Sequence, residues 1–492
     1  MLIKIDRSGA QPLFRQIIDE VRSYLDQDLI GAGNPLPPTR ELADSLGVNR
    51  STVTQAYEEL QALGYLESRP GSYNIVRKRR REAGYHPGRK SIICWKERTS
   101  HPVQDLCETF SSLTPESPPH TEEGASMVNL AALLPDPRLY PVSQFRTSLN
   151  HVLQNCSAAS LQYSQHRGYE PLREHLAKRL RLHGISVSER ELLITNGAQQ
   201  ALDIVARLLS GPGQRIVVES PTYSLALPLF KINGATVTGV PMKEDGMDLA
   251  MLEQELARGP VSFVYTIPNF HNPTGITTGH HHRERLLGIC ARHGVPLLED
   301  GFEEDMKYFG KVALPIKSMD DQNVVLYLGT FSKTLFPGLR IGWITADAEF
   351  IERALILKRY TDLSSGNLIQ RALHHFCETG CYERHLKRLH RVFRKRMQVA
   401  LQAMERHLAP DIQWSRPLGG YLIWVKLPSK LTVEELNSVL HPHGVHACHG
   451  GSFFPEQGPS EFVRLSISQL NEKEIEEGIR RFGEALEKRG VR

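Results

Sequence analysis

A lysine and an arginine lie seven residues apart in a short polar turn between two apolar runs. The stretch GTFSKTLFPGLRIGW, residues 329–343, places Lys333 and Arg340 in this turn. A lysine that is enclosed by protein loses its proton easily, because burial disfavours the charged ammonium. The free amine is a nucleophile that can form a Schiff base with an aldehyde. The pattern therefore indicates covalent chemistry with an aldehyde at Lys333.

Pyridoxal phosphate (PLP) is the cofactor that uses such a lysine, and it needs further support from the protein. Its ring nitrogen needs a carboxylate, for which Asp300 at the end of VPLLED is the candidate. Its ring needs a stacking partner, Tyr223 in SPTYS, and its ring oxygen needs a donor, Asn272 in PNFHNPTG. Its phosphate needs cations, hydroxyls and the N–H groups of a helix start. The candidates for the phosphate site are Arg340, Thr330, Ser332, Gly197, Ala198 and Gln199.

The elements that must position these residues are apolar β-type runs that alternate with helical stretches. The runs are IVVES, VSFVYTIP, VPLLED and VVLYLGT. Their alternation predicts an α/β fold, with a mostly parallel sheet between helices on both faces. Ligands bind at the carboxyl ends of the strands in such sheets, which is where Asp300 lies. The later runs GGYLIWVKLP and EFVRLSIS predict a smaller α+β subdomain at the C-terminus.

A separate group of residues near the N-terminus has the pattern of a helix-turn-helix. TRELADSLG predicts a helix that Thr39 caps and Gly47 ends, and NRSTVTQAYEELQALG predicts a second helix. YLESRPGSYNIV then predicts a β-hairpin that could act as a wing. The start of the second helix enters the DNA major groove in this geometry. The candidate DNA contacts are Arg40, Asn49 (which also caps the second helix), Arg50, Ser51 and Thr52, with Arg69 and Gly71 at the hairpin tip.

Length, charge and composition limit what kind of protein this is. The chain has 492 residues and a net charge of +4, so two or three domains are expected. No apolar run is long enough for a membrane span, and the start has no signal core, so we expect a cytoplasmic protein. The seven cysteines show no CxxC spacing, and neither disulfides nor a metal site is expected. Residues 77–90 hold seven Lys or Arg against one Glu, which suits either phosphate contact or a solvated linker.

The N-terminal part of the chain resembles the GntR-type winged helix-turn-helix family. LPPTRELADSLGVNRSTVTQAYEELQALGYLE, residues 36–67, matches that family's pattern almost throughout. The hairpin departs from the pattern, because SRPGSY has a single glycine. The resemblance implies double-stranded operator DNA as a partner.

Residues from about 126 to 485 resemble the class I aminotransferases of the fold-type I PLP family. The matching motifs are YSQHRGYEPLRE, NGAQQAL, PNFHNPTG, LLEDGFEED, GTFSKTLFPGLRIGW and FVRLSIS. The resemblance implies that Lys333 bonds to PLP, that Asp300 pairs with the ring nitrogen and that Asn272 binds the ring hydroxyl. It also implies that Arg340 and Ser332 bind the phosphate.

The same resemblance implies residues for the ligand and for a second subunit. Arg464 would bind the carboxylate of an amino acid, and Tyr163 would reach the phosphate of the other subunit in a homodimer. One position departs from the family, which usually has a tyrosine two residues after the aspartate. Phe302 stands there, so the site keeps Asn272 as the donor to the ring oxygen.

The chain combines a GntR-type DNA-binding domain (the reader), a linker and an aminotransferase-like domain. This combination resembles the MocR/GabR family of transcriptional regulators. We expect a DNA-binding domain at residues 1–76, a linker at 77–125 and a PLP-binding domain at 126–492, with its small subdomain at about 386–492. The resemblance implies a PLP-dependent regulator that senses an amino acid or amine through Schiff-base exchange at Lys333. The alternative is an active aminotransferase that carries a DNA-binding module, and the sequence leaves residual transaminase activity open.

Overall fold

The computed structural model describes residues 3–9, 11–27, 29–68, 73–77, 93–104, 106–107, 127–310, 313–456 and 458–488. The chain forms two compact units, Met1–Trp95 and Lys96–Arg492. The domain boundaries at 76, 125 and 386 stay predictions. Most of the basic run, and the hairpin tip with Arg69 and Gly71, lie outside the described residues. No helix in the described ranges is long and apolar enough to cross a membrane.

The first unit consists of helices and a two-stranded antiparallel hairpin around a small apolar core. Ile17, Val21, Val53, Tyr57 and Leu60 are buried together in that core. Its elements are α1 (Leu13–Asp26), α2 (Thr39–Leu46), α3 (Arg50–Ala62), β1 (Leu66–Ser68) and β2 (Asn74–Val76). A single helical turn, α4 (Trp95–Arg98), follows in the chain. The predicted helix-turn-helix and hairpin are therefore present.

Local hydrogen bonds fix the turn between α2 and α3. Gly47 ends α2 with a left-handed backbone, and the Asn49 side chain accepts a hydrogen bond from the Ser51 N–H at 3.0 Å. The prediction that Thr39 caps α2 is wrong, because Pro38 occupies the N-cap position and Thr39 is the first helical residue. A proline has a φ that suits the entry to a helix and has no N–H to satisfy.

The second unit is built on an eight-stranded sheet, which one short strand, β3 (Val128–Asn129), precedes in the chain. The strands of the sheet are β4 (Leu192–Thr195), β5 (Arg215–Ser220), β6 (Thr236–Lys243), β7 (Gly246–Met247), β8 (Phe263–Thr266), β9 (Leu297–Asp300), β10 (Val325–Thr330) and β11 (Gly342–Thr345). Their order is β4-β11-β10-β9-β8-β5-β6-β7. The five central strands from β10 to β6 pair in parallel, while β11 and β7 run antiparallel to their neighbours.

Helices cover both faces of this sheet, as the alternation of the sequence predicts. Successive strand residues point to opposite faces, and along β8 Phe263 and Tyr265 join one hydrophobic cluster while Val264 joins another. Each cluster also contains helical residues, such as Leu202 in the first and Leu286 in the second. The helices of this part are α5 (Val142–Leu161), α6 (Glu170–Leu182), α7 (Ala198–Leu209), α8 (Ala226–Ile232), α9 (Leu249–Ala257), α10 (His280–His293), α11 (Ala348–Asp362), α12 (Asn367–Glu378) and α13 (Cys381–His407).

The C-terminal part adds a four-stranded antiparallel sheet. Its order is β12 (Gln413–Trp414), β13 (Leu422–Leu431), β16 (Ser460–Ser466) and β15 (Cys448–His449). The remaining elements are α14 (Val433–Leu440), β14 (Val445–His446) and α15 (Glu472–Lys488). Strand β14 pairs in parallel with β3, so the chain just after residue 127 is joined to this subdomain.

Short 3₁₀ helices connect several of these elements. They cover Pro137–Leu139, Glu189–Glu191, Ile316–Met319, Pro337–Leu339, His441–His443 and Gly450–Phe453. The one at Pro337–Leu339 lies in the loop between β10 and β11, where the lysine motif is found.

The start of β11 leaves no room for a side chain. A Cβ atom on Gly342 would lie 2.7 Å from the carbonyl carbon of Gly197 and 2.9 Å from the nitrogen of Ala198. These are backbone atoms, which cannot rotate away as a side chain can. The glycine therefore lets β11 lie directly against the start of α7.

We predict that Gly342→Ala lowers the midpoint of urea unfolding of the full-length chain, because the new methyl group overlaps backbone atoms. The free energy of unfolding should fall by about 1–3 kcal/mol. Gly338→Ala in the preceding turn is the matched control, because nothing lies within 4 Å of its added Cβ. Tryptophan fluorescence in urea measures both variants, and equal midpoints for the two would contradict the close packing of β11.

Candidate functional site

Lys333 and Arg340 lie in the loop that joins β10 to β11, at the edge where the parallel strands end. Lys333 is partly buried, and its Nζ donates a hydrogen bond to the backbone carbonyl of Leu133 at 2.7 Å. Burial lowers the pKa of the Lys333 amine to about 8, and Arg464 and Arg340 also lower it, although Glu303 opposes them. A fraction of the amine is therefore uncharged near neutral pH, as a nucleophile requires.

Asp300 is the last residue of β9, and it is 3% exposed. Its Oδ2 accepts a hydrogen bond from the Tyr265 hydroxyl at 2.9 Å. The Phe302 N–H also lies close enough to act on the carboxylate, but Oδ1 has no hydrogen-bond partner of normal geometry among the described residues. Burial raises the pKa of Asp300 to about 6, and the Tyr265 hydroxyl opposes that rise. A buried acceptor without a partner is unfavourable, so a ligand with a positively charged ring N–H fits Oδ1.

The start of α7 and the side chain of Arg340 form an anion-binding cradle. Arg340 has a left-handed backbone with φ 51°, a conformation that is costly for a non-glycine residue and is common at functional sites. Its Nη2 donates a hydrogen bond to the carbonyl of Asn196 at 2.7 Å. A Cβ on Gly197 would lie 2.8 Å from that nitrogen, so only glycine lets the guanidinium lie against the helix start. The N–H groups of Ala198 and the next residues, together with the guanidinium, favour a phosphate.

Two hydroxyl groups lie at the start of the same loop. Thr330 Oγ1 donates a hydrogen bond to the carbonyl of Ile341 at 3.1 Å and accepts one from the Ser332 N–H at 3.1 Å. The Ser332 hydroxyl oxygen lies 3.0 Å from Thr330 Oγ1. These hydrogen bonds fix the start of the loop where it leaves β10. The hydroxyls of Thr330 and Ser332 come just before Lys333 in this loop.

Tyr223 and Gln199 belong to the same site. The Tyr223 hydroxyl lies 3.4 Å from Gln199 Oε1, and the amide of Gln199 donates to the carbonyl of Leu225 at 3.4 Å. Burial raises the pKa of Tyr223 above its usual value, and the charge of Asp300 adds to that rise. The tyrosine is partly buried near Asp300, where its ring could stack on a bound aromatic ring.

Arg464 on β16 brings a cation from the small subdomain to this site. Its Nη1 donates to Asn272 Oδ1 at 3.2 Å, and its Nη2 donates to the carbonyl of Ala131 at 2.7 Å. Its Nε has no partner in the part of the chain that the structure describes. The ring of Phe453 lies 5.0 Å from the guanidinium carbon. Arg464 is thus held beside Asn272 with a donor left for a carboxylate.

Sequence reasoning missed Glu303 and instead singled out its neighbour Phe302. The Phe302 ring packs in a hydrophobic cluster with Leu298 and Leu328. Glu303 is 1% exposed and interacts electrostatically with Lys333. Burial raises the pKa of Glu303 to about 8, and Lys333 opposes that rise. The acidic run EDGFEED was the available signal, but it did not show which side chain turns towards the lysine.

Two expectations from the sequence concern residues outside the site around Lys333. The structure does not bring Tyr163 into the site, because its side chain is 78% exposed. The role predicted for Tyr163 involves a second subunit and stays a prediction. Among the described residues, no group of three or more His, Cys, Asp or Glu is arranged to hold a metal ion.

The first unit presents a polar surface where α2 and α3 begin. Arg40, Arg50 and Ser51 are exposed there, and Thr52 is partly buried. The Nε of Arg50 donates to the Thr39 hydroxyl at 3.4 Å, which joins the two helix starts. Guanidinium and hydroxyl groups are the donors that contact DNA phosphates and base edges.

Two family models match different parts of the chain. "Bacterial regulatory proteins, gntR family" matches residues 13–73, and "Aminotransferase class I and II" matches residues 142–482. The uncharacterized HTH-type transcriptional regulator YdfD of Bacillus subtilis is 30% identical over 96% of each chain. The probable rhizopine catabolism regulatory protein MocR of Rhizobium meliloti is 28% identical over 97% of this chain and 94% of that protein.

The solved structure of LysN, the α-aminoadipate aminotransferase of Thermus thermophilus, has the same fold. It aligns with a TM-score of 0.73 and 31% identity over 81% of this chain and 99% of LysN. LysN was solved in complex with N-(5'-phosphopyridoxyl)-L-leucine, and membership of this fold family implies PLP as cofactor. The chain belongs to the class I and II aminotransferase family, and it joins that domain to a GntR-type helix-turn-helix, as the MocR-type transcriptional regulators do.

Proposed function

We propose that this protein is a PLP-dependent, DNA-binding transcriptional regulator that senses an amino acid or a small amine. The observation that carries the proposal is the unpartnered Oδ1 of buried Asp300, which shares its site with Lys333 and the anion-binding cradle. An acceptor of this kind suits a protonated ring nitrogen. The same chain carries a GntR-type reader, which supports a role in DNA binding rather than in metabolism alone.

In this proposal the residues of the site hold the parts of the cofactor as follows. Asp300 binds the ring nitrogen, Asn272 donates to the ring oxygen and Tyr223 stacks on the ring. The phosphate accepts a charge-assisted hydrogen bond from the guanidinium that follows Lys333 in the same loop. It also accepts hydrogen bonds from the N–H groups at the start of α7 and from the two hydroxyls at the start of the loop. These groups are Arg340, Gly197, Ala198, Gln199, Thr330 and Ser332. When bound, PLP supplies an aldehyde carbon that can bond to an amine.

The effector binds at Lys333 and Arg464 in this proposal. Its amino group replaces the Lys333 amine in the covalent bond to the cofactor, and its carboxylate binds Arg464. Both side chains donate to main-chain carbonyls of one segment, at Leu133 and Ala131. A ligand that engages both side chains therefore competes for two of the hydrogen bonds that hold residues 130–134.

The effect on DNA affinity follows from where this segment lies in the chain. Residues 130–134 come just after the predicted linker at 77–125, which leads to the reader. An effector can shift DNA affinity only if it binds differently to two states of the protein. We propose that the two states differ in whether residues 130–134 are held by Lys333 and Arg464.

The reader binds duplex operator DNA with the start of α3 in the major groove. Arg40, Asn49, Arg50, Ser51 and Thr52 contact phosphates and base edges there, and Arg69 and Gly71 at the hairpin tip contact the adjacent minor groove. The protein acts as a homodimer in this proposal, in which Tyr163 reaches the phosphate in the other subunit. The exposure of its ring in the single chain is compatible with such a contact.

A working aminotransferase with a DNA-binding module is the second candidate. The nearness of Lys333, Asp300 and Arg464, whose charges act on one another, favours it. Formation of a keto acid over many turnovers, from an amino donor and a keto acceptor, separates the two candidates. A single turnover that then stops would support the sensor.

We predict that Lys333→Ala uncouples effector binding from DNA binding. The reader is unchanged, so the variant should bind operator like the wild type, but without the amine it cannot exchange a covalent bond. The measurement is fluorescence anisotropy at one fixed salt concentration, because phosphate contacts depend on salt. The DNA is a duplex that the wild type selects from random sequence, with and without the amino compound that shifts wild-type affinity most.

The control for that measurement is Lys387→Ala, which removes an exposed lysine of the same unit. It should keep the full effector response. If Lys333→Ala also keeps the full wild-type shift, covalent exchange at Lys333 is not the signal.

We predict that Arg50→Ala weakens operator binding by about 1–3 kcal/mol, because it removes a charged donor at the start of α3. The absorbance of bound PLP should not change, because Arg50 lies in the first compact unit and the Lys333 site in the second. Arg15→Ala on the exposed side of α1 is the matched control and should bind operator more tightly than Arg50→Ala. Loss of the PLP absorbance in Arg50→Ala would contradict this modular assignment.

A further inference from the structure

Glu303 is a buried carboxylate with no assigned partner. It is 1% exposed, and neither carboxylate oxygen has a hydrogen-bond partner of normal geometry among the described residues. It packs directly against a glycine, since a Cβ on Gly420 would lie 2.5 Å from Glu303 Oε2. The backbone N–H of Tyr421 is close enough to lower the pKa of Glu303, but a carboxylate with no better partner in the interior is unfavourable.

The neighbouring carboxylates each accept at least one hydrogen bond of normal geometry. Asp300 accepts a hydrogen bond from Tyr265, and Glu304 accepts one from the side-chain amide of Asn269 at 2.6 Å.

Glu303 lies within electrostatic range of the reactive lysine instead, with no direct ion pair between them. The neighbours Gly420 and Tyr421 link the two residues, because Gly420 packs against Glu303 and the Tyr421 hydroxyl donates to the Lys333 carbonyl at 2.9 Å. Lys333 is its strongest charged neighbour, and Glu303 is in turn the strongest charge acting on Lys333.

The other charged or titratable groups that face this pair come from several elements. They are Asp300, Arg340, Arg464, Tyr308 and Tyr421. Burial raises the pKa of Glu303 and lowers the pKa of Lys333. The two shifts bring the pKa values of the carboxyl and the amine towards each other, so a proton moves between such groups at lower cost than between an exposed carboxylate and an exposed ammonium.

We propose that Glu303 carries protons between the nitrogen of an incoming amine and the nitrogen of Lys333. The proposal rests on the covalent exchange described under the proposed function, and it assigns the acid–base residue of that exchange. The geometry that supports it is the enclosed, unpartnered carboxylate beside Lys333. Arg464 and Arg340, which are permanently charged, cannot take this role.

The proton balance of the exchange needs such a group. An amine arrives as an ammonium ion and must transfer a proton to a base before its lone pair can form a bond to carbon. In the exchange the incoming nitrogen gives up protons as its double bond to carbon forms, and the Lys333 nitrogen gains the same number as its own double bond to carbon breaks. Glu303 passes the protons on one at a time and ends in the protonation state in which it began, so no oxidant, reductant or further acid is consumed.

The first test uses the cofactor-free protein and Glu303→Gln. Acetylation of Lys333 by acetic anhydride across a pH series, followed by peptide mass spectrometry, reports the midpoint at which the amine becomes uncharged. The Glu303 carboxylate stabilises the Lys333 ammonium, so its removal should shift this midpoint to lower pH. An unchanged or raised midpoint would overturn the pairing.

The second test uses the PLP-loaded protein and methylamine, which needs neither a carboxylate site nor a side-chain pocket. The rate at which methylamine displaces Lys333 is followed by absorbance. Glu303→Gln should slow this exchange by roughly 10- to 100-fold at neutral pH, within the range that general acid–base groups contribute. In Glu303→Gln the Lys333 amine would then lose its proton at lower pH, and yet methylamine would displace Lys333 more slowly. A purely structural role of Glu303 does not give this combination.

Glu304→Gln is the matched control, since it changes the adjacent glutamate that bonds to Asn269. It should keep the wild-type midpoint and exchange rate, and Glu303→Asp should exchange faster than Glu303→Gln. Wild-type exchange rates in Glu303→Gln, or equal loss in Glu304→Gln, would overturn the proposal. If the wild type shows no PLP absorbance at all, the proposed function fails, while the acetylation series still decides whether Glu303 acts on Lys333.

Discussion

A lysine can act as a nucleophile near neutral pH only where burial or nearby positive charge makes its ammonium unfavourable, and this condition governs the second unit. Burial lowers the pKa of Lys333 to about 8. The same burial raises the pKa values of the carboxylates beside it, to about 6 at Asp300 and about 8 at Glu303. The site therefore holds several groups whose proton can move near neutral pH, rather than a set of fixed charges.

The fold meets this condition by collecting short loops at one edge of a rigid sheet. Lys333 and Arg340 share a loop between two paired strands, and Asp300 ends the next strand. The close approach at Gly342 and Gly197 brings the helix start against that loop. Because the strands fix the loop ends, segments that are distant in the chain, such as those at Gly197 and Gly342, lie in direct contact.

The sequence allowed much of this to be predicted, and the failures have physical reasons. Apolar runs identified the strands, and the lysine motif indicated the chemistry, because both are local patterns. The choice of Thr39 as a cap failed because a proline can begin a helix without one. Phe302 and Glu303 are adjacent beyond a strand end, where the period of two no longer tells which side chain turns inward.

Contacts between distant segments could not be read from the sequence at all. The Tyr265 hydroxyl reaches Asp300 from the neighbouring strand, a partner that only the strand order reveals. Lys333 and Arg464 donate to the carbonyls of Leu133 and Ala131, which carry no side-chain signal.

Those two carbonyls have a consequence for how this site can change over generations. Every amino acid has a main-chain carbonyl, so a point substitution at residue 131 or 133 replaces the side chain and keeps the acceptor. Lys333 and Arg464 can therefore keep these two contacts whatever side chains occupy positions 131 and 133. A comparison that ranks positions by the identity of their side chains does not register the two acceptors, although they bind the two side chains on which the site depends.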